Sequence, residues 1–230
     1  MPIILSHRGN IVGPCPSAEN RLPTVDAALR WRWGLETDIR LDTRGRFYIA
    51  HDPRDTAAGL LAEDYCALFR ANPGATIALN IKELGYEAAL LRFLEEQEVL
   101  DQVFLFDMEL LEQTPGATAQ RIRDLNHSVR IAARVSDRDE SIDRALSIES
   151  ASVIWLDEFG GAHFTEADIR RLKAAGRQVH AVSPDLHGAT YESARSRWMD
   201  FIDWGVDGIC TDYPAALDRL LRTLSEVQAA

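Results

Sequence analysis

Residues 152–182 read SVIWLDEFGGAHFTEADIRRLKAAGRQVHAV, and this stretch decides the fold class. It opens on a short β-rich run, 152–156, and closes on another, 178–182, with an amphipathic run at 165–175 between them. Thr165 followed by Asp168 marks a helix start, and Gly176 marks its stop. Strand, helix, strand in that order implies parallel strands joined by a right-handed crossover. Working outward, the unit recurs along the chain. Further strands are predicted at 3–6, 35–41, 76–81, 103–106, 130–135 and 208–210, and further helices at 24–33, 86–97, 191–204 and 215–227. In the helix at 86–97, Leu90, Leu91 and Leu94 share the dry side, while Glu87, Arg92, Glu95 and Glu96 share the wet one. Eight strands with about eight connections in 230 residues predict an α/β protein. The architecture expected is a closed (β/α)8 TIM barrel, a single domain over 1–230 with few insertions, since such barrels typically need roughly 250 residues. A doubly wound open sheet is the alternative, but no G-x-G-x-x-G turn follows the first strand. Residues 47–50, after Thr43-Arg44-Gly45, read as the return arm of a hairpin on the second strand.

Composition narrows the function classes. Hydrophobic residues make up 46% and charged residues 27%, enough apolar surface for a packed core, so global disorder is excluded. The net charge of −11 repels nucleic-acid phosphates and anionic lipids, and no run is apolar for long enough to span a bilayer. Nucleic acid and membrane insertion are therefore not expected. The opening residues do not read as a secretion leader, and three scattered cysteines (Cys15, Cys66, Cys210) suggest neither a disulfide framework nor a metal cluster. The expected compartment is the cytoplasm.

Side chains alternate between the two faces of a strand. Glu36, Asp38 and Arg40 share one face of the second strand, with Ile39 and Leu41 on the other; Asn80 and Lys82 share one face of the third, with Leu79 and Ile81 opposite. In a barrel wrapped by helices the apolar face points outward, so these polar groups point inward near the mouth. Burying carboxylates there without partners costs several kcal/mol, so positive charge must accompany them. Two carboxylates at i and i+2 suit a divalent cation; an ion-pair cluster with Arg and Lys is the equally weighted alternative. Two histidines at strand exits, in His7-Arg8-Gly9 and His51-Asp52-Pro53, add groups that can exchange protons near neutral pH.

Together, His7-Arg8-Gly9, Glu19-Asn20, Glu36-Thr37-Asp38, Asp42-Thr43-Arg44-Gly45 and His51-Asp52 resemble the glycerophosphodiester phosphodiesterase family, within the phosphatidylinositol-phospholipase-C-like phosphodiesterases. Asn80-Ile81-Lys82 and Gly208-Ile209-Cys210-Thr211-Asp212-Tyr213-Pro214 are similar to its third-strand motif and last-strand ending. The resemblance is strong over 5–53 and loose over 100–200. It implies a phosphodiesterase acting on a small glycerophosphodiester-like molecule with one divalent cation, Mg2+ or Ca2+. It also implies Glu36 and Asp38, with Asn80 at the third position, as metal ligands, and His7 and His51 as the acid–base pair. Arg8 and Lys82 would contact phosphate, with Glu19 and Asn20 in support. The chain departs from the pattern at Asn80, where the family has a glutamate; an amide oxygen can bind either cation but brings no charge. Asp107 or Glu19 could move in, whereas the strand parity of Glu83 turns it away.

Around the rest of the mouth, Arg134, Trp155, Asp157 and the segment from Ser183 to Gly188 are candidates for reading the substrate, and Trp155 is placed among the substrate-binding residues. Arg134 could equally pair with Asp107 or Asp157. His180 reads as outward-facing, His187 as a loop residue, and Trp31, Trp33, Trp198 and Trp204 as outer-layer packing. Two other functions compete. One is a non-catalytic or weakly active phosphate-binding barrel that lost the third metal carboxylate. The other is a barrel lyase using Lys82 as a Schiff base.

Overall fold

The computed structural model describes residues 1–54 and 60–229. Its strands are β1 (Ile3–His7), β2 (Gly34–Leu41), β3 (Phe47–Ile49), β4 (Ile77–Ile81), β5 (Val103–Phe106), β6 (Arg130–Ser136), β7 (Val153–Asp157), β8 (Gln178–Val182) and β9 (Gly208–Thr211). All but β3 are parallel, and β1 pairs with both β9 and β2, which closes the sheet into an eight-stranded barrel. β3 returns antiparallel along β2, with Ile39 opposite Ile49, as the hairpin arm predicted at 47–50. The outer layer is α1 (Leu22–Arg30), α2 (Ala62–Ala71), α3 (Glu87–Glu96), α4 (Ala117–Leu125), α5 (Ile142–Ser147), α6 (Glu166–Ala174), α7 (Tyr191–Asp203) and α8 (Pro214–Ala229). The chain is thus a single α/β TIM-barrel domain.

The barrel wall separates two apolar cores. Outside it, Leu35, Ile39, Leu79, Ile131, Ile154 and Leu156 of the strands pack against helix residues such as Leu90, Leu94, Ile169 and Leu172. Burying each such side chain contributes about 1.5–3 kcal/mol. Inside it, Leu5, Ala78, Phe104, Phe106, Ala132, Val153, Trp155, Val182 and Cys210 form a second cluster. The helix start predicted at Thr165 is real: its amide and hydroxyl both donate to the Asp168 carboxylate, at 2.8 and 2.7 Å.

Two expectations are corrected. His180 does not face outward. It lies 5.1 Å from the Phe104 ring inside the barrel, in phase with Val182 and in register with Gly208. A Cβ on Gly208 would stand 2.3 Å from His180 Nδ1, so glycine makes room for the ring. Trp31 is not packing in the outer layer but 57% exposed, stacked on the buried Trp33; α1 ends at Arg30 and leaves it on the surface. Cys66 and Cys210 are buried and Cys15 is exposed. Among the described residues, no helix is long and apolar enough to cross a membrane.

Candidate active site

Where the strands end, the inward face turns from apolar to charged and opens into a cavity of about 460 Å3. One wall carries His7, Arg8, Glu36, His51, Asn80 and Lys82; the other carries Asp107, Arg134, Trp155, Asp157, Phe159 and His187.

The first wall starts from a turn. After His7, the last residue of β1, Arg8 and Gly9 both take left-handed backbone, at φ 50 and 81. A side chain at Gly9 would press on Val25 of α1 at 3.1 Å as well as straining the backbone. The turn is locked by the Arg8 amide donating to the Glu36 carbonyl and the Asn20 amide donating to the Arg8 carbonyl, each at 2.8 Å. The Arg8 guanidinium then reaches Glu19 at 3.0 Å and Asp38 at 3.3 Å. Asn20 lies outside the cavity lining: its side-chain oxygen accepts from the Thr37 hydroxyl at 2.7 Å, so it fastens the Arg8 turn to β2. Glu19 is likewise behind Arg8 rather than on the cavity wall.

His7 is oriented by a residue whose role the sequence reading did not assign. Its Nδ1 lies 2.6 Å from Asp212 Oδ1, the same oxygen that accepts from Asn10 Nδ2 at 2.7 Å. His7 Nε2 then faces Glu36, 3.7 Å from Oε2. Burial opposes the charged ring most strongly, but the Asp212 hydrogen bond and the charges of Glu36 and Asp212 outweigh it and hold the His7 pKa above 6.5. Burial, then the neighbouring Asp38, pushes Glu36 up to about 7 against the pull of His7, Arg8 and Lys82. The signal for Asp212 was available, because it lies in phase with Gly208 and Cys210 on the inward face.

Asp38 is fully buried, with Lys82 Nζ 2.9 Å from Oδ1 and Arg8 Nε on the other oxygen. Asn80 is beside it in register, and its Nδ2 donates to Asp107 Oδ2 at 2.9 Å. Glu36 Oε2, both Asp38 oxygens and Asn80 Oδ1 are buried and receive no well-angled hydrogen bond from the described residues. The Asp38 oxygens are ion-paired with Lys82 and Arg8, while Glu36 Oε2 and Asn80 Oδ1 have no donor; buried acceptors left short of donors are costly, and this all-oxygen set on neighbouring strands suits a hard divalent cation. Among the described residues, no group of three or more His, Cys, Asp or Glu gathers as a metal cluster; here the third donor is an amide, outside that set.

His51 follows β3 and is the most open member of this wall, with a side chain 47% exposed and Nδ1 2.9 Å from the Asp52 carboxylate. Its carbonyl accepts from Arg40, which also pairs with Glu83, so Glu83 is engaged outside the Glu36, Asp38 and Asn80 cluster.

On the second wall, Arg134 bridges the two aspartates the sequence offered as alternatives, bonding Asp107 at 2.5 Å and Asp157 through its other terminal nitrogen. Burial opposes its charge most strongly, yet the two carboxylates keep its pKa raised. Asp107 is therefore held between Asn80 and Arg134, beside the Glu36, Asp38 and Asn80 oxygens. Trp155 is 3% exposed and packs on Phe106 with ring centroids 4.4 Å apart, so it is core and cavity floor at once.

Comparison with known proteins places this barrel. The fold, a sheet closed by eight parallel strands, is similar to that of solved glycerophosphodiester phosphodiesterases. A Galdieria sulphuraria protein assigned as one superposes with a TM-score of 0.76 at 19% identity, covering 96% of this chain and 98% of that one. A glycerophosphodiester phosphodiesterase from Parabacteroides distasonis gives 0.68 at 11% identity, over 97% and 99% of the two chains. An Oleispira antarctica phosphodiesterase, solved with the product sn-glycerol-3-phosphate, gives 0.67 at 16%, over 96% and 97%. At these identities the likeness is one of fold. No protein-family model matches the chain. A curated relative, the rhizopine catabolism protein MocC of Rhizobium meliloti, is 30% identical over 98 residues, 39% of this chain; the match spans 30% of that protein's length.

Proposed function

We propose that the chain is a metal-dependent phosphodiesterase of the glycerophosphodiester phosphodiesterase kind, with His7 and His51 as its acid–base pair. The observation that carries this reading is the cluster of buried oxygens of Glu36, Asp38 and Asn80, with Lys82 and Arg8 ion-paired to Asp38, Glu36 Oε2 and Asn80 Oδ1 left without a donor, and an aspartate-held imidazole alongside. In an acidic protein, an anionic substrate needs local positive charge. Arg8 supplies a planar donor pair for two phosphate oxygens, and Lys82 supplies a point charge. A divalent cation held by Glu36, Asp38 and Asn80 would add Lewis-acid stabilisation of charge at phosphorus.

The proton steps belong to the histidines. One imidazole takes the proton of the attacking hydroxyl, from water or from a neighbouring alcohol of the substrate, as the new O–P bond forms. The other gives its proton to the departing alkoxide as the old P–O bond breaks. Asp212 fixes the His7 tautomer, so that Nδ1 carries the proton donated to the carboxylate and Nε2 is the exchanging atom.

The test is hydrolysis of bis(p-nitrophenyl) phosphate by purified protein. Activity should vanish with chelator and return with Mg2+ or Ca2+. A rate indifferent to chelator contradicts the metal assignment. A second reading, a phosphate-binding barrel without turnover, is favoured by Asn80 in place of a carboxylate and by the pairing of Asp38 with both Lys82 and Arg8. It predicts phosphate binding with no cleavage under any metal.

A further inference from the structure

We propose that Asp107 is a positioning residue that sets which end of the Asn80 amide faces the divalent cation, so that an amide serves where the family pattern has a glutamate. This rests on the metal assignment in the phosphodiesterase reading above.

A carboxylate offers a cation oxygen whichever way it turns, whereas an amide turned over offers its NH2 group instead. With Asn80 at this position, a second group has to choose the rotamer. Asn80 lies on β4 between Asp38 of β2 and Phe106 of β5, each in register with it. On the β5 side its Nδ2 donates to Asp107 Oδ2 at 2.9 Å. Oδ1 is the other branch of the amide, and it is buried without a donor. Lys82, two residues along the same face, gives its ammonium to Asp38 and not to this oxygen.

The backbone is bent to bring Asp107 there. Along β5, Phe104 and Phe106 point into the barrel while Val103 and Leu105 pack outside it, so alternation alone would send residue 107 to the helix side. Left-handed backbone at φ 68 interrupts that alternation, and the carboxylate lines the cavity instead. Arg134 donates to its other oxygen. With one oxygen on Arg134 and the other on Asn80, the carboxylate acts as an acceptor on both sides, and the end of the amide that meets it is the NH2 end. A costly turn, a buried ion pair and one amide oxygen without a donor thus agree on a single rotamer.

Isothermal titration of the whole chain with Mn2+ tests this without a substrate. Asp107→Gly removes the carboxylate and suits the left-handed backbone; it should weaken Mn2+ binding about tenfold, as expected for a residue that orients a metal ligand. Asp107→Asn can meet Asn80 with either a donor or an acceptor, so it should weaken binding by a smaller factor and serves if the glycine variant does not fold. Asn80→Glu offers oxygen whichever way it turns, so in that background neither change at Asp107 should weaken binding by more than about twofold. The proposal is overturned if both Asp107 variants bind Mn2+ as the wild type does. It is also overturned if the loss is as large in the Asn80→Glu background, which would make Asp107 act by its charge and not through the amide. Either result leaves the metal assignment standing. A wild type that does not bind Mn2+ overturns both.

Discussion

Leu5 and His7 lie two residues apart on β1 and face the same barrel interior, yet they live in different chemistry. Leu5 is fully buried among Ala78, Phe104 and Cys210, while His7 bonds Asp212 and lines the cavity. The same step recurs around the barrel: Ala78 gives way to Asn80, Val153 and Trp155 to Asp157, and Cys210 to Asp212. One pleat period divides the floor, whose side chains hold the cylinder together, from the mouth, whose side chains are charged and incompletely satisfied. A barrel can therefore carry a costly polar site at its end without weakening the packing below, because each strand contributes to both layers through residues of one parity.

This division can be broken from either side. The largest effect is expected at the mouth: His7→Ala should lower phosphodiester turnover by about 10²–10⁴-fold, the usual worth of a general acid or base, with the thermal midpoint little changed. A variant that unfolds instead would make His7 part of the floor. At the floor, Phe104→Ala should cost about 3–5 kcal/mol in denaturant unfolding, while turnover per folded molecule stays as in the wild type.

His180 sharpens the comparison because it is a titratable group placed in the floor. Burial pushes its pKa down to about 4, against 6.5 for an exposed histidine. Between those values the unfolded chain binds a proton that the folded chain refuses, so stability is full above pH 6.5 and lost as pH falls toward 4. The loss is roughly 3 kcal/mol, and His180→Leu should flatten that limb of the stability–pH curve. An unchanged acid limb would show that other groups control it. The smallest effect is expected at the mouth again, where Asn80→Glu should tighten divalent-ion binding about tenfold by adding a charge to the ligand set. No change in an ion titration would place Asn80 outside it.

Strand parity in β2 and β4 made much of the site legible, since Glu36, Asp38, Asn80 and Lys82 interrupt an otherwise apolar pattern and can only face inward. His180 was misplaced because its own face of Gln178–Val182 mixes polar Gln178 with apolar Val182, so polarity does not choose a side. The choice is made by Gly208 on the neighbouring strand, whose missing side chain opens the space. Parity puts Asp212 on the inward face and offers Arg134 two aspartates, but the bond of Asp212 to His7, 205 residues away, and the joining of both aspartates by Arg134 depend on the closed barrel. Asn20 was drawn toward the mouth by its neighbour Glu19, although a left-handed backbone at φ 54 turns it to Thr37 instead.

The central claim is the proposal that the buried oxygens of Glu36, Asp38 and Asn80 hold a divalent cation that, with Arg8 and Lys82, receives a phosphate group. A crystal soaked with Mn2+ and phosphate tests it most directly. The account predicts an ion ligated by oxygens of all three residues at about 2.0–2.6 Å, with the phosphate against Arg8 and Lys82. A Lys82 ammonium still seated on Asp38, with no ion beside it and the phosphate bound elsewhere, would contradict it.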